Sequence, residues 1–235
     1  MAMTPEYTEP AATESSVAGP PSLPARVVQV FVSPAQLFDR LRERPLWFTT
    51  LFLGGLMVVA GIVAIPVDVW AEFFRAQMLE AGQPVPEGIE AGGNVLRIFG
   101  AIGGVVFWFV WAFVVAGIAT VIFAFVLGDD VRFNQVLSAT SHALLIVAIG
   151  GLLILPLRIA QRDPQLVLSV GTFLPFLEGY PAAFLGSLDL FALWAFTVLG
   201  LAITRFDSKR SPGVAITVLL GVFIALMSVL SIFQA

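Results

Sequence analysis

The chain has 235 residues, of which 58% are hydrophobic and only 12% charged, and its formal net charge is −4. Soluble domains carry about 25% charged residues, so this composition excludes an ordinary cytosolic domain and points to a polytopic membrane protein. With no cysteine and one histidine, disulfides, thiolate metal sites, a cysteine nucleophile and histidine-rich metal centres are excluded too, and no basic cluster offers a nucleic-acid footprint.

Residues 1–25 are rich in Pro, Ala, Ser, Thr and Glu and have no basic segment ahead of an apolar core. They are expected to form a disordered cytoplasmic tail, not a signal peptide. Ser33-Pro34-Ala35-Gln36 carries helix-start chemistry: Ser33 can N-cap, Pro34 suits the first helical position and Gln36 completes a capping box. Leu37, Phe38 and Leu41 then recur at helical spacing opposite Gln36, Asp39, Arg40, Glu43 and Arg44. This predicts an amphipathic lead-in helix lying in the membrane interface, which orients the first span or docks a cytosolic partner.

Crossing ~30 Å of hydrocarbon takes about 20 apolar residues. Residues 46–66 meet that requirement as a first span. Residues 67–94 follow with Trp70, Phe73, Phe74 and Met78 on one stripe among several carboxylates, predicting an interfacial helix and then a polar loop. Residues 98–127 are long enough for one tilted span and too short for two. Gly100, Gly104, Ala112 and Ala116 give it a small-residue face for close helix approach, with intramolecular packing favoured over oligomer formation. Gly128-Asp129-Asp130 ends the run, and Asp130 is expected to cap a third span over 133–156. Within it, Asn134, Ser138, Ser141 and His142 share one stripe, which should face the bundle interior or a wet cavity because lipid offers no hydrogen bonds.

After Arg158 and Arg162, the apolar stretch Leu166–Phe176 is too short to span and suits an outer re-entrant or interfacial segment. A fourth span over 184–204 opens with Ser187-Leu188-Asp189-Leu190-Phe191 and carries Trp194. Burying the Asp189 carboxylate costs about 2.5 to 3.5 kcal/mol unless it is paired or faces a polar interior. Its expected partners are Arg97, Arg158 or a backbone N–H at the start of its own helix. Helical rise puts His142 and Asp189 roughly 10 Å apart along the membrane normal, too far for direct pairing. A fifth span over 213–233 leaves the termini on opposite sides. The cations Arg26, Arg40, Arg42, Arg44, Arg132, Arg205, Lys209 and Arg210 fall on the N-terminal side, against Arg75, Arg97, Arg158 and Arg162 on the other. This bias predicts a cytoplasmic N-terminus and a C-terminus outside.

Taken together, Val30-Phe31-Val32-Ser33-Pro34 with Phe38, Gly128-Asp129-Asp130 followed by Phe133-Asn134-Gln135-Val136-Leu137, and Leu188-Asp189-Leu190-Phe191 with Trp194 resemble the Yip1 family of five-span membrane proteins over residues 26–235. The resemblance implies an all-α membrane domain with five transmembrane helices. Eukaryotic members are associated with small GTPases and vesicle traffic through a cytosolic N-terminal region. The Asp-Leu-Tyr-Gly-Pro motif of that region is missing here, so the resemblance points to the bacterial branch and an inner (cytoplasmic) membrane.

Enzyme chemistry finds no support. The loop reads Val126-Leu127-Gly128-Asp129 in place of the Gly-x-Gly-Asp of intramembrane aspartyl proteases, and no Gly-x-Ser tripeptide or phosphate-binding loop stands in or between the spans. The expectation is a non-enzymatic integral membrane protein without cofactor or metal. It would act through a cytosolic or membrane protein partner or through membrane organisation. The alternative is a small-solute or proton-coupled transporter using the span-three stripe and Asp189.

Overall fold

Apolar runs punctuated by Pro, Gly and charged residues fold into ten α-helices and no strand within residues 19–86 and 88–233, the part described by the computed structural model. The expected tail therefore lies outside the described residues up to position 18, and helix α1 (Leu23–Val32) already begins within its last positions. There follow α2 (Pro34–Leu41), α3 (Phe48–Ala64), α4 (Val67–Glu80) and α5 (Ile89–Thr120), the last continued by a π-helical turn over Val121–Val126. Then come α6 (Phe133–Leu153), α7 (Leu155–Gln161), α8 (Gly179–Ser187), α9 (Leu190–Phe206) and α10 (Pro212–Leu230).

Gly92–Val126, Phe133–Leu153 and Pro212–Phe233 are the 3 described helices long and apolar enough to cross a membrane, and the α3–α4 pair, bent by 86° at Ile65-Pro66, makes a fourth if counted as one span. Pro66 cannot continue the α3 hydrogen-bond ladder, and α4 leaves sideways. The fourth expected span is shorter than its apolar run suggests. Residues 184–204 do not form one helix: α8 stops at Ser187 and α9 starts at Leu190, with Asp189 in the N-cap position between them. At 17 residues, α9 falls short of the ~20 that hydrocarbon requires.

α6 is the centre of the bundle, packed by α3, α5, α9 and α1, while α10 packs outside α9. Its polar loops define two ends. At one end, Arg210 binds Asp129 at 2.9 Å, the Asp130 N–H donates to Asp207 at 2.6 Å and Arg205 grips Asp39 through two bonds of 2.7 Å. We call this the loop end. At the far end, Arg162 reaches Asp68 at 2.8 Å and also Glu72, and Tyr180 meets the Ser228 hydroxyl at 2.7 Å. Asp130 is thus not the α6 cap. Its N–H serves the 207–211 loop, and Gln135 Oε1 instead accepts the Arg132 N–H at 2.9 Å.

The lead-in segment differs most from expectation. Ser33 stands at the N-cap position of α2 but makes no capping bond, so the Ser33–Gln36 box does not form. Leu37, Phe38 and Leu41 are fully buried, and the faces they meet belong to α9 and α6. Phe38 packs edge-on against both His142 and Phe206. The amphipathic pattern was real, but protein covers the apolar face in place of lipid. α1 and α2 form a helical hairpin inserted from the loop end: Arg42 accepts a bond from Gln135 at that end, while Phe31, beside the turn, meets Trp194 with ring centroids 5.2 Å apart. The 8 residues of α2 carry the turn about 12 Å inward.

The small-residue face of α5 divides in two. Gly104 sits against Val58 and Ile62 of α3, and Ala112 and Ala116 are fully buried, whereas Gly100 and Gly117 face open space. The expected re-entrant stretch 166–176 is an irregular strap at the far end with a 3₁₀ turn over Val170–Phe173. It is tied to the α8–α9 junction by Val170 N–H to Leu188 O at 3.0 Å and Leu190 N–H to Leu168 O at 2.9 Å.

Candidate functional site: a buried polar chain and a groove at the far end

Two places concentrate polar groups inside the apolar bundle. The first lies between α1, α3 and α6. Thr50, Ser138, Ser141 and His142 have no exposed surface, and Arg26 is only 4% exposed. His142 Nδ1 lies 2.7 Å from the Ser138 carbonyl, which can only accept, so Nδ1 carries a proton. Its Nε2 then accepts from the Thr50 hydroxyl at 3.1 Å, and Thr50 in turn accepts from Arg26 Nη1 at 3.0 Å. Arg26 Nη2 donates to Thr49 at 3.1 Å. The bonds run in one direction, from guanidinium to hydroxyl to neutral imidazole to carbonyl. The Ser138 hydroxyl closes the set on the Leu46 carbonyl at 3.1 Å, fixing where α3 begins relative to α6. Among the described residues Arg26 meets no carboxylate, and its Nε is buried without a partner.

Of the expected stripe, the structure therefore brings Ser138, Ser141 and His142 together and leaves Asn134 exposed beside Pro45 at the loop end. Its sequence neighbour Gln135 is the buried one. Arg26 and Thr50 were missed, since each joins the polar chain through contacts 23 to 116 residues away. One signal was available: a lone arginine in the apolar run from Leu23 to Val32, helical by its Pro24 start.

The second place surrounds Asp189. Its Oδ1 accepts the Ala192 N–H at 2.8 Å, an N-cap bond that satisfies one of the orphan donors of α9. Arg158 borders the same cavity: its guanidinium holds the Leu166 carbonyl through Nε at 2.8 Å and closes no salt bridge with Asp189. Arg97 is elsewhere, tying the Val63 carbonyl and the Asn94 side chain, each at 3.1 Å. Arg158 and Asp189 border a cavity of about 450 Å³ whose walls come from α3, α5, α6, α9 and α10. Apart from Trp70, Pro164 and Ser187, which stand with the charged pair near the far end, its lining is aliphatic and aromatic, including Trp108, Trp111, Val147 and Phe196.

The polar groups of the two places are separate. Phe191 fills the space beside Gly150, about 12 Å along α6 from His142, and where the cavity reaches Leu144 its walls are apolar. Asp129 is held by Arg210 at the loop end, and the length of α9, about 25 Å, separates that end from Asp189. The carboxylate pair of an aspartyl protease is not assembled by these residues, and the described residues hold no cluster of metal-ligating side chains.

Comparison with known proteins agrees with this architecture. The Yip1 domain profile matches residues 28–232. "Membrane protein YknW" of Bacillus subtilis is 23% identical over 200 residues, covering 83% of this chain and 85% of its own. No solved structure matches.

Proposed function

The chain belongs to the Yip1 domain family, and from that premise we propose that this integral membrane protein is non-enzymatic and acts by binding a membrane protein partner through the exposed face of α5. The supporting observation is how the bundle spends its polar groups. Hydroxyls and imidazole of α3 and α6 bond to one another and to Arg26 in a buried chain, and among the described residues no polar path joins the loop end to Asp189. A solute pathway needs polar groups that face a wet cavity. The outer surface offers a different resource: α5 is long and largely exposed, and it presents Phe99 and Phe107 with the open positions Gly100 and Gly103, where another helix backbone could approach.

In this reading the loop end is cytoplasmic. It gathers Arg40, Arg42, Arg44, Arg132, Arg205, Lys209 and Arg210, and positive charge favours the inside. The membrane is a bacterial inner membrane, in keeping with the Bacillus relative. Photo-crosslinking from Val106 or Val110, each more than half exposed on α5, tests the proposal in native membranes. A discrete adduct from these positions, lost when the reactive group is moved to buried Ala139, is expected; no adduct from either position counts against it.

One observation favours the second reading, a small-solute or proton-coupled transporter: Asp189 borders the cavity. Asp189→Asn retains a capping acceptor, so loss of uptake in proteoliposomes without loss of fold supports transport, and an absence of flux in the unaltered protein removes it.

A further inference from the structure

The cavity beside Asp189 has a polar end and an apolar body, and the two are stacked in the order of a lipid molecule. Arg158 follows the far end of α6, and Trp70 lies on α4, the helix that turns sideways at that end. This is head-group level. Deeper in, Val58, Gly104, Leu144, Val147, Phe196 and Phe223 give walls without charge. Its volume of about 450 Å³ lies in the range that binds small molecules, and in a membrane an apolar hollow of this kind is filled by hydrocarbon.

The polar end selects the head group. Arg158 spends Nε on Leu166 O, so its terminal nitrogens keep donors for a phosphate, and a side chain at Gly151, which also lines the cavity, would meet Nη1 at 3.9 Å. Asp189 spends Oδ1 on Ala192 N and keeps acceptor capacity for a cation. Asp189 borders the same cavity as Arg158, and the Asp163 N–H bonds to the Arg158 carbonyl at 3.0 Å, so this single guanidinium has carboxylates for neighbours. A purely anionic head group is disfavoured there, and a head group with one phosphate and one ammonium matches the charges in place.

We propose that this groove binds one aminophospholipid from the bilayer, with its phosphate on Arg158, its primary ammonium on Asp189 and a chain along the α5, α6 and α9 walls. The head-group contacts, from α7 and the α8–α9 junction, lie apart from the α5 partner surface, while Phe107 borders both that surface and the groove.

The test uses the full-length protein in neutral detergent with phosphatidylethanolamine, phosphatidylcholine or phosphatidylglycerol of identical chains, and reads bound lipid by native mass spectrometry. Phosphatidylethanolamine alone carries both a phosphate and an ammonium that donates hydrogen bonds. It is expected to be retained about fivefold more than either competitor, the size of one partly solvated charge-assisted bond. Asp189→Asn and Arg158→Gln are each expected to bring retention down to the phosphatidylcholine level. Equal retention of the three lipids by the unaltered protein, preference for phosphatidylglycerol, or an ethanolamine preference that survives both substitutions would overturn the proposal.

Discussion

Arg26 places a guanidinium inside the bundle with two threonine hydroxyls and an imidazole as neighbours. A buried cation without a carboxylate is expensive, and each partner it does have matters more for that reason. Thr50 is the shared link: its hydroxyl accepts from Arg26 and donates to His142. Thr50→Val keeps the shape and removes both bonds, so a loss of about 1 to 3 kcal/mol is expected in detergent thermal unfolding. In an Arg26→Met background the same change should cost clearly less, because the buried charge that needs the hydroxyl has gone; equal losses in both backgrounds would show the two residues to be uncoupled. Asp189 shows how far sequence reasoning could reach at this scale. A carboxylate at the start of an apolar run has a local partner in its own helix N-terminus, and that partner could be named from the sequence. Arg26 has none within its own helix, and nothing in the sequence says which span it will meet.

The α1–α2 hairpin and the α9–α10 pair are where elements, not single residues, carry the fold. Helix periodicity located α2 because Leu37, Phe38 and Leu41 recur correctly, but periodicity gives a face and not its partner. Lipid and protein are equally apolar, so an amphipathic segment before a first span reads alike in the interface and inside the bundle. Span limits were legible to within a few residues where Pro or charge breaks the run, as at Pro66 and Gly128. The limit at Asp189 was missed because the apolar residues of α8 and α9 join without a composition change. Between α9 and α10 the contact is backbone on backbone: a side chain at Gly200 would meet Ile216 Cα at 2.7 Å and N at 2.8 Å. Gly200→Ala should therefore force the helices apart and cost about 1 to 3 kcal/mol. Gly221, which has nothing within 4 Å, is the matched control, and Gly221→Ala should be neutral or slightly stabilising. Similar unfolding temperatures for the two variants would refute the close approach.

At the scale of the molecule, α6 is a buried axis whose polar groups from Gln135 to His142 are enclosed, the loop end is clamped by Arg210 to Asp129 and Arg205 to Asp39, and the far end is strapped to the residues flanking Asp189 by residues 168–170. Composition and hydropathy made the class and the helix order readable, because hydrocarbon permits few alternatives. They could not reveal that the polar stripe of α6 closes on α1, since that requires a helix from the far-off N-terminal region to enter the bundle. A closed centre is the claim on which the non-transport reading depends. The chain has no cysteine, so single cysteines at Ser138, Ser141, Gln165 and Lys209 can be probed without background by a membrane-impermeant maleimide applied to either face of the membrane. The expected result is labelling at Lys209 from the cytoplasmic face alone, at Gln165 from the opposite face alone, and at Ser138 and Ser141 from neither. Labelling of Ser141 from both faces would reveal a water-filled path through α6 and contradict the account.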